Sequence, residues 1–316
     1  MTAVAELYTI NKSLVVKVRE YMDQTGTTIT EIAREIGFSR PAVSQFLSGN
    51  YKAENSDIEE KISAYLAAKT GEIELTATRE SSLPAKPGFF ESRDSINILG
   101  VCQSAQEYLG LGIIVGKSGF GKTHTLKYYA KMPRVAYVEC DDTMGQRDLV
   151  KAIERALGIP TGYGSIWERV NGIREFFNVN RGYLLIVDEA DKLVSKYTQK
   201  KMEILRGIFD QADVGLVIAG EPKLEGLIKG YLSRFANRVD FYATLRGLSN
   251  QEVMKYLANF NLDDEAMQEM IARATNAQTG CFRLLDRTLN NIMRLSSAGS
   301  AISSEMIAKA SNMMML

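Results

Sequence analysis

The feature that most limits the possible folds is a glycine-rich stretch, GKSGFGKT, which lies between an apolar run, LGIIV, and a helical pattern, HTLKYYAKM. It matches GxxxxGK[ST], in which glycines let successive backbone N–H groups turn inward around phosphate oxygens, and the following helix adds its dipole. A chance glycine turn is a weak alternative, because strand, loop, lysine, hydroxyl and helix all coincide. The sequence therefore predicts a nucleotide-binding loop made of Gly116, Lys117, Ser118, Gly119, Phe120, Gly121, Lys122 and Thr123.

Three side chains at the end of this loop have separate expected roles. We expect Lys122 to bridge the terminal phosphates of ATP and the Thr123 hydroxyl to bind Mg²⁺. His124 follows on the first turn of the helix and borders the nucleotide. For its imidazole, a solvated or packed position without a partner is the expectation.

A second apolar run, LLIVDEA, ends in the acidic pair Asp188 and Glu189. Alone, such a pair is more often a helix cap than a catalytic site. Together with the glycine loop it predicts Asp188 as the residue that holds Mg²⁺ and Glu189 as the base that orients and polarises the attacking water. Asp191, further along, is expected to cap the next helix.

The chain divides by pattern into four segments. We predict a helix-turn-helix domain over 1–70, a Pro/Gly-containing linker over 71–95, a core over 96–245 and a helical lid over 246–316. In the core, β-type runs alternate with helical patterns, which is typical of an α/β fold with a mostly parallel sheet covered by helices.

The N-terminal segment has the spacing of a helix-turn-helix. Apolar residues repeat at helical intervals before Gly37, and Ser39 can cap a second helix. Arg40, Ser44 and Gln45 fall off the apolar stripe of that second helix and are candidate DNA contacts. The charge of this segment is roughly balanced, so a weak DNA contact and a protein-docking module both stay open.

Composition excludes several classes of site. With one histidine, Ser-His-Asp hydrolysis and histidine-rich metal centres are excluded, and three scattered cysteines make a zinc site improbable. Basic and acidic residues number 38 each, so nucleic-acid binding would need a local patch. The N-terminus does not resemble a signal peptide and no apolar run could cross a bilayer, which predicts a cytoplasmic protein with no membrane partner.

Further along, GLVIAGEP, SRFANR and TGCFRLLDRTLNNIMRL complete an order of parts that resembles the AAA+ ATPases. The resemblance implies a P-loop AAA+ core with a C-terminal lid, in which Arg283 of the GxxR motif senses the γ-phosphate. The sensor 1 position is occupied by Glu221, where a carboxylate would repel phosphate, so we expect slow hydrolysis that DNA or a partner stimulates. Arg234 and Arg238 are equal candidates for an arginine finger, which places ATP between subunits of an oligomer.

With the N-terminal unit TITEIAREIGFSRPAVSQFLSGNY, the chain resembles the Mu B-type ATPases of DNA transposition. This implies ATP-dependent, largely non-sequence-specific binding to double-stranded DNA, self-assembly into a ring or helical filament, target selection and activation of a transposase. Lys192, Lys196 and Lys200 recur every fourth residue and predict a basic ridge on one helix that contacts phosphates.

Two alternative functions stay open. One is an ATP-controlled helix-turn-helix transcriptional regulator, and the other is a helicase loader. The regulator is weakened by the second N-terminal helix, where Arg40 is the one strong base-reading side chain and Gln45 the next.

Overall fold

A computed structural model describes residues 14–23, 25–48, 56–80, 86–194, 199–231, 236–276, 278–295 and 301–314. The chain forms two compact units. The first comprises Met1–Ser81 and Tyr128–Val135, and the second comprises Ser82–Lys127 and Ala136–Leu316.

The first unit contains four described helices, and local sequence explains their ends. Helix α1 spans 14–23, α2 Ile29–Ile36, α3 Arg40–Leu47 and α4 Ser56–Glu80. Thr28 and Glu31 form a capping box at the start of α2, and Gly37 ends it with φ of 74°. Ser39 caps α3 through the Ala42 N–H. The two helices predicted on either side of Gly37 are therefore present, while their assignment as a DNA-binding helix-turn-helix stays a prediction.

The apolar faces of these helices meet in one small core. Its fully buried side chains include Ile32, Val43, Ile58 and Ile62. Helix α4 continues to Glu80, ten residues beyond residue 70 and into the region predicted as a linker. Residues 71–80 are therefore helical, and the division into four domains, including the linker, stays a prediction.

The second unit is built on a five-stranded sheet of order β2-β3-β4-β1-β5. The strands are β1 Leu111–Val115, β2 Val135–Glu139, β3 Tyr183–Asp188, β4 Val214–Gly220 and β5 Val239–Thr244. Strand β1 pairs in parallel with β4 and β5, and β3 pairs in parallel with β4. The predicted P-loop α/β fold is confirmed. Because parallel strands end at the same edge, the segments after β1, β3 and β4 come together there.

Helices cover this sheet. They are α5 Arg93–Tyr108, α6 Lys122–Tyr129, α7 Gln146–Leu157, α8 Ile166–Val179, α9 Lys200–Phe209 and α10 Lys223–Tyr231, with a 3-10 turn at Ala190–Leu193. Strands β1 and β4 are buried along their whole length, as expected for a sheet covered on both faces. Their side chains and those of α7 to α9 form the largest core of the unit.

The C-terminal segment is helical, as predicted. It consists of α11 Asn250–Leu257, α12 Asp264–Thr275, α13 Phe282–Leu295 and α14 Ser304–Asn312. Ser249 and Glu252 form a capping box at the start of α11, and an isolated parallel bridge joins Leu262 to Ile302. These helices have a core of their own. Among the described residues, no helix is long and apolar enough to span a membrane.

The helix predicted to carry Lys192, Lys196 and Lys200 on one face is not continuous. Lys192 lies in the 3-10 turn, Val194 has extended backbone with φ of −103° and ψ of 127°, and α9 begins at Lys200. Lys196 lies outside the described residues. The prediction of a single helical ridge is therefore wrong, because an extended residue interrupts the four-residue repeat.

Gly215 in β4 marks a close approach of helix and sheet. A Cβ at this position would lie 2.1 Å from the Ala105 carbonyl oxygen of α5, which is inside van der Waals contact. We expect Gly215→Ala to lower the free energy of unfolding by about 1–3 kcal/mol, because backbone must move to relieve the overlap. Thermal denaturation followed by circular dichroism measures the change.

Gly226→Ala in α10 is the matched control, because a Cβ there meets nothing within 4 Å. Alanine favours helix, so this variant should melt at the wild-type temperature or slightly above it. Equal melting temperatures for Gly215→Ala and wild type would contradict the close helix–sheet contact.

Candidate active site

The glycine loop follows β1 directly and leads into α6. Gly116 donates its N–H to the Gly220 carbonyl at 3.2 Å, so the loop begins level with the end of β4. Gly119 and Gly121 have φ of 81° and 87°, a region that L side chains rarely adopt. The predicted strand, loop and helix are therefore all in place around a left-handed turn that only glycine forms without strain.

Lys122 lies buried at the centre of this loop. Its ammonium group donates to the carbonyls of Gly116 at 2.7 Å and Lys117 at 3.1 Å. Burial lowers its pKa, and the nearby carboxylates, Glu189 first, oppose that shift. The cation is thus held at the loop by backbone oxygens and acidic neighbours, where phosphate oxygens could replace the carbonyl contacts.

Asp188 is fully buried at the end of β3, with 0% of its surface exposed. Burial raises the pKa of its carboxyl group, while hydrogen bonds from the side chains of Thr123 and Tyr137 lower it. The Tyr137 hydroxyl donates to Oδ2 at 3.0 Å, and the Glu189 N–H donates to Oδ1 at 2.8 Å. The structure therefore brings together the two residues predicted to bind Mg²⁺, Thr123 and Asp188.

Tyr137 was not predicted from the sequence. It lies in the middle of β2, and burial raises the pKa of its hydroxyl, which stays protonated and donates to Asp188. Its position in VAYVE, on the strand next to β3, was the available signal, but the strand order is a long-range property.

The donor set suits a cation that shares its ligands with phosphate. Among the described residues, no group of three or more His, Cys, Asp or Glu side chains could hold a metal ion. One carboxylate and one hydroxyl match the usual Mg²⁺ arrangement, in which substrate phosphates and waters complete the coordination.

Glu189 has an unusual backbone conformation. Its φ of 55° and ψ of 33° are left-handed, which for a non-glycine residue costs about 1–3 kcal/mol. The surrounding structure must hold it there, and such strain is concentrated at functional sites. Its carboxylate lies 3.4 Å from the Lys192 ammonium group. The predicted base is therefore placed next to the Mg²⁺ residues, in an ion pair with a neighbouring lysine.

Asp191 does not cap a helix, contrary to prediction. Its carboxylate accepts the Glu221 N–H at 3.1 Å and pairs with Lys223 at 2.9 Å. It therefore joins the segment after β3 to the segment after β4 and fixes the backbone of Glu221. The Glu221 carboxylate is one of the charges that raise the pKa of Lys122, so it lies near the loop.

The loop forms one wall of a cavity of about 480 Å³. The opposite wall contains residues of the lid and residues 86–95, which were predicted to be a linker. His124 is exposed at its rim and stacks on Phe89 at 5.9 Å between ring centroids, so the expectation that it has no partner is wrong.

Aromatic rings line the far part of this cavity. Phe90 lies 5.2 Å from Tyr256 and 6.2 Å from Phe282, measured between centroids. Lys86 donates to Asp286 at 2.6 Å, which ties the segment before α5 to lid helix α13. The cavity thus has a polar end at the glycine loop and an apolar end, a combination suited to a nucleotide.

Asp94 anchors the connection between sheet and lid. It is buried in the first turn of α5 and accepts the N–H groups of Arg246 at 3.0 Å and Gly247 at 2.7 Å. Asp94 was not predicted from the sequence, because its partners lie about 150 residues further along the chain.

Arg283 lies on the first turn of α13, against the glycine loop. Its guanidinium donates to the Ser118 hydroxyl at 3.0 Å and its backbone N–H donates to the Gly119 carbonyl at 3.2 Å. The predicted sensor 2 residue is therefore next to the place expected for phosphate, and its role stays a prediction.

One of the two predicted finger arginines is already paired with an acidic residue. Arg238 forms an ion pair of 2.6 Å with Asp210, which also binds Arg206. Arg234 lies outside the described residues. A structural ion pair therefore accounts for Arg238.

Comparisons with known proteins agree with this geometry. A family model described as AAA domain matches residues 105–228. The Mu-like prophage FluMu DNA transposition protein B of Haemophilus influenzae is 27% identical over 293 residues, covering 87% of this chain and 95% of that protein. The ATP-dependent target DNA activator B of Escherichia phage Mu is 20% identical over 281 residues, covering 86% of this chain and 85% of that protein.

The chain is thus similar, over most of its length, to the Mu B-type proteins of DNA transposition, and its residues 105–228 match an AAA domain.

The fold of this protein is also similar to a solved structure of the Aeropyrum pernix ORC2 protein. The TM-score is 0.55 at 15% identity, over 74% of this chain and 70% of that one. At this identity the similarity concerns the fold alone.

The residues predicted to contact DNA lie on several different elements. Lys192 is paired with Glu189, whereas Lys200 is exposed at the start of α9. Arg40, Ser44 and Gln45 are exposed together on α3, on the face opposite its buried Val43 and Phe46. Their role in DNA binding stays a prediction.

Tyr137→Phe tests how Asp188 is held. We expect it to weaken Mg²⁺-dependent ATP binding about tenfold, because a hydrogen bond to a charged group contributes about 1.5–3 kcal/mol. Titration with a fluorescent ATP analogue, with Mg²⁺ and with EDTA, measures the effect.

Tyr108→Phe is the control, since it removes the same hydroxyl from an exposed tyrosine of α5. Equal Mg²⁺ dependence in Tyr137→Phe and Tyr108→Phe would show that Tyr137 does not position the carboxylate.

Proposed function

We propose that this protein is an ATPase that assembles on duplex DNA in the ATP state, selects target sites largely without sequence specificity, and activates a transposase. The observation that carries the proposal is the buried Lys122 and Asp188 pair at the strand ends, closed by lid residue Arg283. The printed names of the relatives, an ATP-dependent target DNA activator and a DNA transposition protein, support the choice among AAA+ functions.

Each residue of the site has a separate role in ATP hydrolysis. The loop from Gly116 to Thr123 binds the phosphates through its N–H groups, and the Lys122 ammonium balances their charge. Thr123 and Asp188 would hold Mg²⁺, which supplies charge neutralisation between the phosphate oxygens. Glu189 orients the attacking water and accepts its proton, after which ADP and phosphate remain.

Two features favour slow turnover by an isolated subunit. Glu189 is engaged by Lys192, and the segment after β4 presents Glu221 where AAA+ proteins commonly have a neutral polar residue. Assembly would supply an arginine from a neighbouring subunit to stabilise the developing negative charge. Because Arg238 is already paired with Asp210, Arg234 is the better candidate for that role.

DNA would be held mainly by phosphate contacts, which carry no base information. Among the predicted contacts, Lys200 and the exposed face of α3 with Arg40, Ser44 and Gln45 are accessible. Lys192 would become available when its pairing with Glu189 is broken, and Lys196 belongs to the same predicted set.

The direct test is electron microscopy of the protein with ATP, Mg²⁺ and random-sequence duplex DNA, together with DNase footprinting. The expected result is regular ring or filament assemblies that form only when ATP is present. These assemblies should protect duplex DNA of any sequence. A single protected palindrome would instead identify a transcriptional regulator. Binding to a hexameric helicase without DNA assembly would identify a helicase loader.

Lys122→Ala should abolish ATP-dependent assembly, because the loop loses the cation that balances the terminal phosphates. Fluorescent nucleotide binding and electron microscopy with ATP and DNA measure the loss. Lys229→Ala, which removes an exposed lysine from α10, should assemble normally. Normal filaments formed by Lys122→Ala would exclude the loop as the assembly switch.

Glu189→Gln should trap ATP and lengthen DNA residence, because an amide cannot accept the proton of the attacking water. We expect phosphate release to fall at least a hundredfold, in line with the usual contribution of a general base of about 10²–10⁴, while DNA dissociation slows. Glu225→Gln, a change of the same kind at a half-buried site of α10 where Glu225 pairs with Lys229, serves as control. Normal hydrolysis by Glu189→Gln would show that another residue activates the water.

A further inference from the structure

Helix α7 carries a row of basic residues that the proposed site does not use. Arg147, Lys151 and Arg155 are exposed and spaced four residues apart, so they lie on one face of the helix. Within the described part of the chain, none of the three forms an ion pair. Three like charges in a row repel one another, which favours a negatively charged partner.

Other helices of the protein neutralise such cations at the same spacing. Lys229 pairs with Glu225 and Lys309 pairs with Glu305, in each case four residues apart. The acidic residues of α7 are used differently. Asp148 accepts the Gly145 N–H at the helix start, and Glu154 is buried. The exposed residues of α7 are thus three cations in a row and one carboxylate, Asp148, at the helix start.

An aromatic loop follows this helix. Tyr163 is 105% exposed and Trp167, on the first turn of α8, is 70% exposed. The loop is defined at both ends, by Gly158 with φ of 70° and by a capping box between Ser165 and Glu168. Two large rings exposed to solvent, one on the loop and one on the helix turn that follows it, are typical of a contact surface.

A largely buried ion pair joins α8 to α7. Arg169 donates to Glu154 through two nitrogens, at 3.0 and 2.7 Å. Glu154 is buried and Arg169 is partly buried, so this contact fixes the first turn of α8 against the last turns of α7. Trp167 and Arg155 lie two residues and one residue from the pair, so their backbone positions are fixed relative to each other.

We propose that this α7 surface, made of Arg147, Lys151, Arg155, Tyr163 and Trp167, binds the phosphate backbone of duplex DNA. The inference rests on the proposed function and names the surface that carries it out. Four residues of helix rise about 6 Å, while charges along one DNA strand are about 3.4 Å apart along the axis. The cations of the row are therefore spaced on the same scale as neighbouring phosphates of one strand.

The aromatic residues extend this contact beyond charge. Tyr and Trp rings can pack against the sugars of the duplex backbone with little dependence on sequence, since every nucleotide carries a sugar. A surface of this composition binds DNA without recognising a particular base sequence. It takes the place of the lysine ridge that the sequence predicted after β3.

The first test compares two triple variants of equal charge. Arg147→Gln/Lys151→Gln/Arg155→Gln removes the basic row, and Lys229→Gln/Lys255→Gln/Lys309→Gln removes three exposed lysines elsewhere. Fluorescence anisotropy with random duplex DNA, ATP and Mg²⁺ gives Kd at several salt concentrations. We expect the α7 variant to bind on the order of a hundredfold more weakly at about 0.1 M salt, with the slope of log K against log salt reduced by about two to three.

The outcomes separate this inference from the proposed function. If wild type binds DNA normally and the two triple variants bind equally well, the role of α7 is overturned and the proposed function is not affected. Failure of wild type to bind duplex DNA would overturn the proposed function and this surface with it.

A second measurement needs no variant. Trp167 is the single tryptophan of the chain, so fluorescence excited selectively at tryptophan, and not at the 14 tyrosines, reports on this surface. Adding duplex DNA to wild-type protein already saturated with ATP and Mg²⁺ should change its emission and reduce quenching by iodide. A change caused entirely by ATP, with none on adding DNA, would assign the surface to contact between subunits and overturn the proposal.

Discussion

The site depends on placing opposite charges together in a protein interior. Lys122 and Asp188 are both removed from water at the ends of neighbouring segments, where each alone would be costly. The structure offsets that cost with backbone carbonyls around the lysine, hydrogen bonds to the carboxylate and carboxylates near the cation. The arrangement requires β1, β3 and β4 to end level, and that follows from the parallel register of the sheet.

The lid is part of this arrangement. A Cβ on Gly119 would lie 2.7 Å from the Cys281 sulfur, so the loop and the start of α13 are in direct contact. Arg283 adds hydrogen bonds to the same loop, and Lys86 ties the opposite wall of the cavity to Asp286. The glycine loop, the lid and residues 86–95 thus enclose one space, and a change in the loop reaches the other two through van der Waals and polar contacts.

Sequence patterns predicted the parts of the fold that are determined by residues close together in the chain. The loop around Gly119 and Gly121, the strand before Asp188 and the two helices about Gly37 are all specified by residues close in sequence. The interruption at Val194 was missed because a four-residue repeat of lysines says nothing about backbone between them. Tyr137, Asp94 and Phe90 were missed for another reason. Each acts on a partner brought close by strand order or by packing of the lid, and no single-sequence pattern contains that information.

The two hydrogen bonds that Asp94 accepts from Arg246 and Gly247 have a mechanical consequence. They fasten the polypeptide where it leaves β5 to the first turn of α5, and α5 itself is packed against the sheet with almost no clearance at Gly215. The helices from α11 onward are thus attached to the sheet through a fixed connection just before their first residue. A movement of Arg283 against the glycine loop would therefore turn these helices about that connection instead of shifting them as a whole.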